Sequence, residues 1–440
     1  MSSVSLFACS RLAICMAASV TLVVSASFAQ AQRSLTAKET VLYTFTGGSD
    51  GANPNAGVIF DSSGALYGTT VYGGAFNTGT VYKLIPQGQR WTRTVLHSFA
   101  ESPPAGTAGT DGVNPFAGVI FDSSGALYGT TVFGGNSGNG TVYKLTPPTD
   151  GGTLWNETVL YNFTGGADGA NPSNGSLIFD SSGALYGGTI NGGNSGNGTV
   201  YKLTPPAGGG TPWNETVLYN FTAGADGRYG SSSLIFDSGG ALYGTAGGGG
   251  KGNGTVYKLT PPASGTVWNL TVLYAFAGNN IDGALPSYAP LIFDSSGALY
   301  GTTRSGGPCQ GCGGGYGTVY KLTPPANGMP LGTPWTETVL HFFTSGADGS
   351  EPDGGVILDR SGALYGTTSS GGYGTVFKLT PSASGNPWTM TVLHNFSSAP
   401  DGANPYSGLI FDRHDGLYGT TRSGGSVSNG GNGTVFRVVQ

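Results

Sequence analysis

Only 9% of the 440 residues are charged, and nowhere do Lys and Arg gather into a basic stripe. The formal net charge is −5, so the attraction that drives nucleic-acid binding is missing and nucleic acid is not expected as a partner. The four histidines show no metal-ligand spacing, which removes a His-based metal centre. Long apolar runs are absent beyond the N-terminus, so no membrane span is expected once a leader is removed. Gly-rich loops such as Gly134 to Gly140 lead into strand-like segments and not into helix starts, which argues against phosphate loops.

What the chain has in excess is glycine (81), with 25 Pro, 22 Tyr and 21 Phe. That mixture describes many short strands joined by tight turns, and 38% hydrophobic residues in regular runs argue for a buried core instead of a disordered chain. At the N-terminus, Arg11 precedes an apolar stretch from Leu12 to Val24 and then Ala29-Gln30-Ala31. This pattern fits a cleavable export signal over residues 1–31, and the run is shorter than the roughly 20 residues a spanning helix needs. The mature chain, 32–440, is therefore expected to be secreted, periplasmic or on the cell surface. Cys9 and Cys15 leave with the leader, and Cys309 and Cys312 are expected to form a local disulfide.

Four patterns recur seven times each. One is Val58-Ile59-Phe60-Asp61 and its copies ending at Asp122, Asp180, Asp237, Asp294, Asp359 and Asp412, each followed by a turn. Another is Leu66-Tyr67-Gly68, whose tyrosine returns 53 to 65 residues later each time. Gly79-Thr80-Val81-Tyr82-Lys83-Leu84 closes a Gly-rich loop, and Trp91-x-x-Thr94-Val95-Leu96-x-x-Phe99 completes the unit. All four are rich in β-branched and aromatic residues and bounded by Gly, Pro, Asp or Ser, so each predicts a strand. Seven units of four strands predict an all-β, seven-bladed β-propeller over about residues 38–438; an open solenoid would need polar capping units that are not present. The chain starts with an orphan outer strand, Thr40 to Phe45, and its last copy stops after a third strand at Val438. Pairing these two would close the ring and remove a sheet edge.

The order Phe-Asp, turn, Leu-Tyr-Gly-Thr, Gly-rich loop and Gly-Thr-Val-Tyr-Lys-Leu resembles the GloVer repeat of the choice-of-anchor tandem repeat proteins, over nearly the whole mature chain. The resemblance implies an exported bacterial repeat protein of unassigned activity, attached to the cell by a C-terminal sorting tail in its relatives. This chain departs there, with Gln440 close behind the last strand and no apolar tail. The blade layout is also similar to NHL and gluconolactonase-like propellers in architecture, which does not fix function.

In a repeat protein, a residue serving one active site should break the repeat. Seven aspartates form the Phe-Asp column, and seven more, Asp50, Asp111, Asp168, Asp226, Asp282, Asp348 and Asp401, form an Asp-Gly column between blades. Only Asp150, Asp353 and Asp415 are left over, with Glu101 and Glu351 among the glutamates. No catalytic residue or cofactor is assigned. The Asp-Gly column and the Gly-rich loops are expected on one face, where seven carboxylates are candidate calcium ligands or simply turn formers. The Phe-Asp carboxylates are expected to cap the following turns, and the Lys83 column is expected as a solvated or interface-lining stripe. The functional expectation is a monomeric, non-enzymatic binding or adhesion propeller for a polysaccharide or cell-surface protein. The alternatives are a lyase or lactonase using calcium and carboxylates, and a structural envelope component.

Overall fold

The computed structural model describes residues 37–100, 111–150, 152–172, 175–230, 233–286, 290–309, 314–326, 333–382, 385–426 and 431–440. The leader expected at 1–31 lies outside them, and among the described residues no helix is long and apolar enough to cross a membrane. The strands form seven four-stranded antiparallel sheets, the blades of a seven-bladed propeller. Blade 1 runs outward from the axis as Ile59–Phe60, Leu66–Thr70, Thr80–Gln87 and Arg90–Ser98. Blades 2 to 6 repeat this order.

Blade 7 is built from both ends of the chain. Its first three strands are Ile410–Phe411, Leu417–Thr421 and Thr434–Val439, and its outer strand is Lys38–Thr44. The register pairs Lys38 with Val439 and Val41 with Phe436, so the expected closure is present. The inner ring closes as well: Thr69, Thr245 and Thr367 each donate to a carbonyl of the next blade, and Thr420 of blade 7 donates to Ala56 of blade 1 at 2.9 Å.

Each outer strand skips one residue in its pairing, as between Val81↔His97 and Tyr82↔Val95. The skipped leucine, Leu96, turns into the contact between blades, where it is buried. Packing is concentrated at these seams. Tyr67, Val81, Leu96 and Phe99 of blade 1 meet Val119, Leu127, Tyr143 and Leu145 of blade 2, and the other seams repeat the pattern. Both faces of each blade are therefore apolar, as sheets stacked around an axis require.

At six of the seven outer strands a tryptophan stands against a tyrosine of the preceding blade, edge-on in four of them: Trp155 to Tyr67 at 6.2 Å, Trp268 to Tyr186 at 6.3 Å, Trp335 to Tyr243 at 6.4 Å and Trp91 to Tyr418 at 6.5 Å. The seam between blades 6 and 7 has no tryptophan, because its outer strand is the N-terminal one and Ala37 precedes it. A cavity of about 470 Å³ lies there, bordered by Tyr365, Lys378, Phe411, Val439 and Gln440.

Candidate functional site

The Asp-Gly loops and the loops that follow each second strand lie together on one face. Ala52 bridges Tyr72 in blade 1, and Val113, Ala170, Ala284, Ser350 and Ala403 make the same bridge in their own blades. Gly51 takes φ 104° where the chain turns over the side chain of Thr70, a conformation and a spacing that favour glycine.

The structure turns each Asp-Gly carboxylate into its own loop. Asp50 accepts from the Thr46 hydroxyl at 2.5 Å, the Thr46 amide at 2.9 Å and the Tyr43 hydroxyl at 3.0 Å. Asp168 and Asp226 repeat this with Tyr161 and Tyr219, and Asp348 and Asp401 use His341 and His394 in the tyrosine position. Asp111 takes the Ala100 and Gly112 amides, and Asp282 takes those of Ala277 and Gly283. The seven candidate calcium ligands are thus not gathered around a common point. Among the described residues only Asp111 joins a group of three ligand-type atoms, with His97 and Glu157, all within 4.8 Å of one another. Burial, then the charge of Asp111, pushes the Glu157 carboxyl up to about 9.

The Phe-Asp column is fully engaged. Asp61 accepts from the Ser63 amide at 2.9 Å, the Ser63 hydroxyl at 2.6 Å and the Ala65 amide at 2.9 Å, while its other oxygen meets the Tyr67 hydroxyl at 3.0 Å and Lys83 Nζ at 3.4 Å. Lys83 also lies 4.9 Å from the centroid of the Tyr67 ring. The lysine column is therefore the far end of an Asp-Tyr-Lys set within each sheet. In blade 6 the lysine differs, since Lys378 donates to Gln440 Oε1 at 3.2 Å.

Of the residues that break the repeat, Asp150 is exposed and Asp415 sits in a surface turn, while Glu101 lies outside the described residues. Cys309 is disulfide-bonded; Cys312 lies outside the described residues. Glu351 and Asp353 remain, and the structure brings them to the mouth of the central axis. A cavity of about 550 Å³ opens there, where the lead-in segments of the inner strands converge with the ends of second strands. Its wall includes Asp353, Arg304, Arg422, Tyr406, Phe116 and Phe133.

Four equivalent proline-containing turns explain the placement of these wall residues. Asp353 follows Pro352 as Asn55 follows Pro54, Phe116 follows Pro115 and Tyr406 follows Pro405, so one column supplies four different side chains to one opening. Glu351 holds φ 56° at a position where four other blades have asparagine. Its carboxylate receives Arg304 Nη2 at 2.8 Å and Nε at 3.2 Å.

Asp353 is 2% exposed. Its Oδ2 accepts from the Ser369 hydroxyl at 2.6 Å, whereas Oδ1 accepts no hydrogen bond among the described residues and has Arg304 Nε at 3.7 Å. Burial outweighs the guanidinium and raises this carboxyl to about 6. Arg422 stands over the Tyr406 ring, 5.2 Å from its centroid. Both arginines occupy a column that reads Val71, Val132, Ile190, Gly247 and Ser369 in the other blades. Sequence reasoning missed them, although the same departure from the repeat was there to be read.

The pocket can receive a ligand with hydroxyl donors for Asp353, an apolar face for the aromatic rings and a partner for the arginines. A family model, the Gloeobacter/Verrucomicrobia repeat, matches residues 31–175, 105–314 and 292–440. No curated protein matches. Among solved structures, a PQQ-bound aldose sugar dehydrogenase from Streptomyces coelicolor is similar at 12% identity, covering 92% of this chain and 98% of that one, with a TM-score of 0.42. A putative 6-phosphogluconolactonase from Bacteroides fragilis shares 14% identity over 89% of each chain, with a TM-score of 0.43. Drosophila Plexin A in complex with Semaphorin 1b shares 12% over 91% and 87%, with a TM-score of 0.48.

Proposed function

This chain belongs to the Gloeobacter/Verrucomicrobia repeat family, and on that premise we propose that it is an exported, non-catalytic propeller that binds a saccharide, the end of a polysaccharide, in its axial pocket. The observation that carries the reading is Asp353 Oδ1. A buried acceptor left without a hydrogen bond costs about 1–3 kcal/mol, and this one lines an opening large enough for a sugar ring. The remaining wall suits such a ligand, with rings to stack on and small Gly and Ser residues that admit close approach. Export is supported by the leader pattern at 1–31 and by the disulfide at Cys309.

One observation favours the enzyme alternative. A carboxyl raised to about 6 beside a guanidinium is what a general base working near neutral pH needs. Isothermal titration of the mature chain with a panel of oligosaccharides, followed by chromatography of the mixture, separates the two. Saturable binding without product, reduced at least tenfold by Asp353→Asn, is expected. Product formation lost in that variant would replace the binding reading with the catalytic one, and the absence of any saccharide binding would overturn both.

A further inference from the structure

We infer that the axial pocket is built for an acidic sugar, a hexuronate whose carboxylate is received by Arg422 and whose hydroxyls donate to Asp353. The inference rests on the proposed saccharide site and adds the charge of its ligand.

The two arginines of the wall are in different situations. Arg304 is matched by Glu351 through a forked contact and by Asp353 at 3.7 Å. Arg422 has no carboxylate within ion-pair distance among the described residues, and what faces its guanidinium is the Tyr406 ring. Its backbone is fixed on both sides: the amide donates to Asn404 O at 3.0 Å, and its carbonyl accepts from Asn53 Nδ2 at 2.9 Å. A guanidinium donates within its own plane, so a cation with an aromatic ring beside it can still receive a carboxylate through two parallel bonds.

Three features then complement a uronate pyranose. Its carboxylate matches the unpaired charge, its ring C–H face matches Phe116 or Tyr406, and its hydroxyls match the buried oxygen of Asp353 that accepts no hydrogen bond among the described residues. Neutral sugars satisfy only the last two. Among the described residues the charged groups of the wall are Arg304, Arg422 and Asp353, with Glu351 paired to Arg304, so the excess is positive whenever Asp353 holds a proton and neutral when it does not.

The test is titration calorimetry of the full mature chain at pH 7 with digalacturonate and with its neutral counterpart, a galactose disaccharide. Digalacturonate is expected to bind at least tenfold more tightly. Arg422→Gln should erase that difference while neutral-sugar binding persists, Arg422→Lys should restore part of it, and Asp353→Asn should weaken both sugars. Equal affinities in the wild type, or a difference that survives Arg422→Gln, would overturn the acidic-sugar assignment and leave the saccharide pocket standing. Failure of both sugars to bind would remove the pocket reading itself. Melting temperatures of the variants separate loss of ligand from loss of fold.

Discussion

Ala37→Trp should stabilise the ring at its weakest seam. Six seams carry a tryptophan set against the tyrosine of the preceding blade, and the seventh carries a cavity of about 470 Å³ beside Tyr365. Ala37 stands two residues before Glu39 just as Trp155 stands two before Glu157 and Trp213 two before Glu215, so the substitution places an indole where the other seams have theirs. Covering most of an indole should contribute about 2–3 kcal/mol, and its edge-on contact with Tyr365 about 0.5–1 kcal/mol more. For the roughly 400 residues between 37 and 440, with about 2.1 cal/mol/K of unfolding entropy per residue, that corresponds to a rise in melting temperature of about 3–5 °C. Differential scanning calorimetry reads the shift directly. The reference is Trp213→Ala, which empties an occupied seam and should cost about 3–5 kcal/mol, or about 4–6 °C. If Trp213→Ala loses stability as stated while Ala37→Trp melts at or below the wild type, the seam reasoning is wrong.

Deleting residues through Phe45 should do the opposite. It removes a fully buried ring packed 5.1 Å from Tyr82 and bares the outer edge of Thr434–Val439, which stays paired with Leu417–Thr421 on its other side, so a loss of at least 3 kcal/mol, on the order of a large buried aromatic, and self-association in size-exclusion chromatography are expected; a soluble monomer with an unchanged melting temperature would contradict this. Glu157→Gln should flatten the pH dependence of stability. The folded protein keeps the Glu157 proton up to about 9 while the unfolded chain releases it near the ordinary value of 4.5, so the folded state binds more protons and stability falls as pH rises between those limits. Denaturant melts at pH 5 and pH 8 should show the variant gaining on the wild type at the higher pH, and an equal difference at both would refute the upward shift of Glu157.

The blade count, the strand order and the closing strand were legible because each depends on residue type recurring at a spacing, and seven copies average out local ambiguity. Asp353 and Glu351 were legible for the converse reason, as departures from a column. Side-chain direction was not. Seven carboxylates on one face suggest a ring of ligands, yet Asp50 and its equivalents point back at Tyr43-type hydroxyls and loop amides, which only the turn geometry decides. The lysine column looked solvated because its partner, Asp61, is remote in sequence and meets Lys83 across a sheet register. Arg422 lies next to Tyr406 through the fold alone, and a single arginine at the end of a strand reads as surface until that ring is seen beneath it.

The pairing of Val41 with Phe436 has a consequence for how the molecule comes into being. Six blades can assemble as their own segments become available, since each is a local meander, but the last must wait for two stretches separated by almost the entire chain to meet. Until then the third strand of blade 7 offers a bare edge to any extended segment nearby, its own N-terminal strand or that of a neighbouring molecule. The same joint that makes the finished ring seamless is thus the point at which assembly competes with exchange between chains, and dilution during refolding should favour the closed monomer.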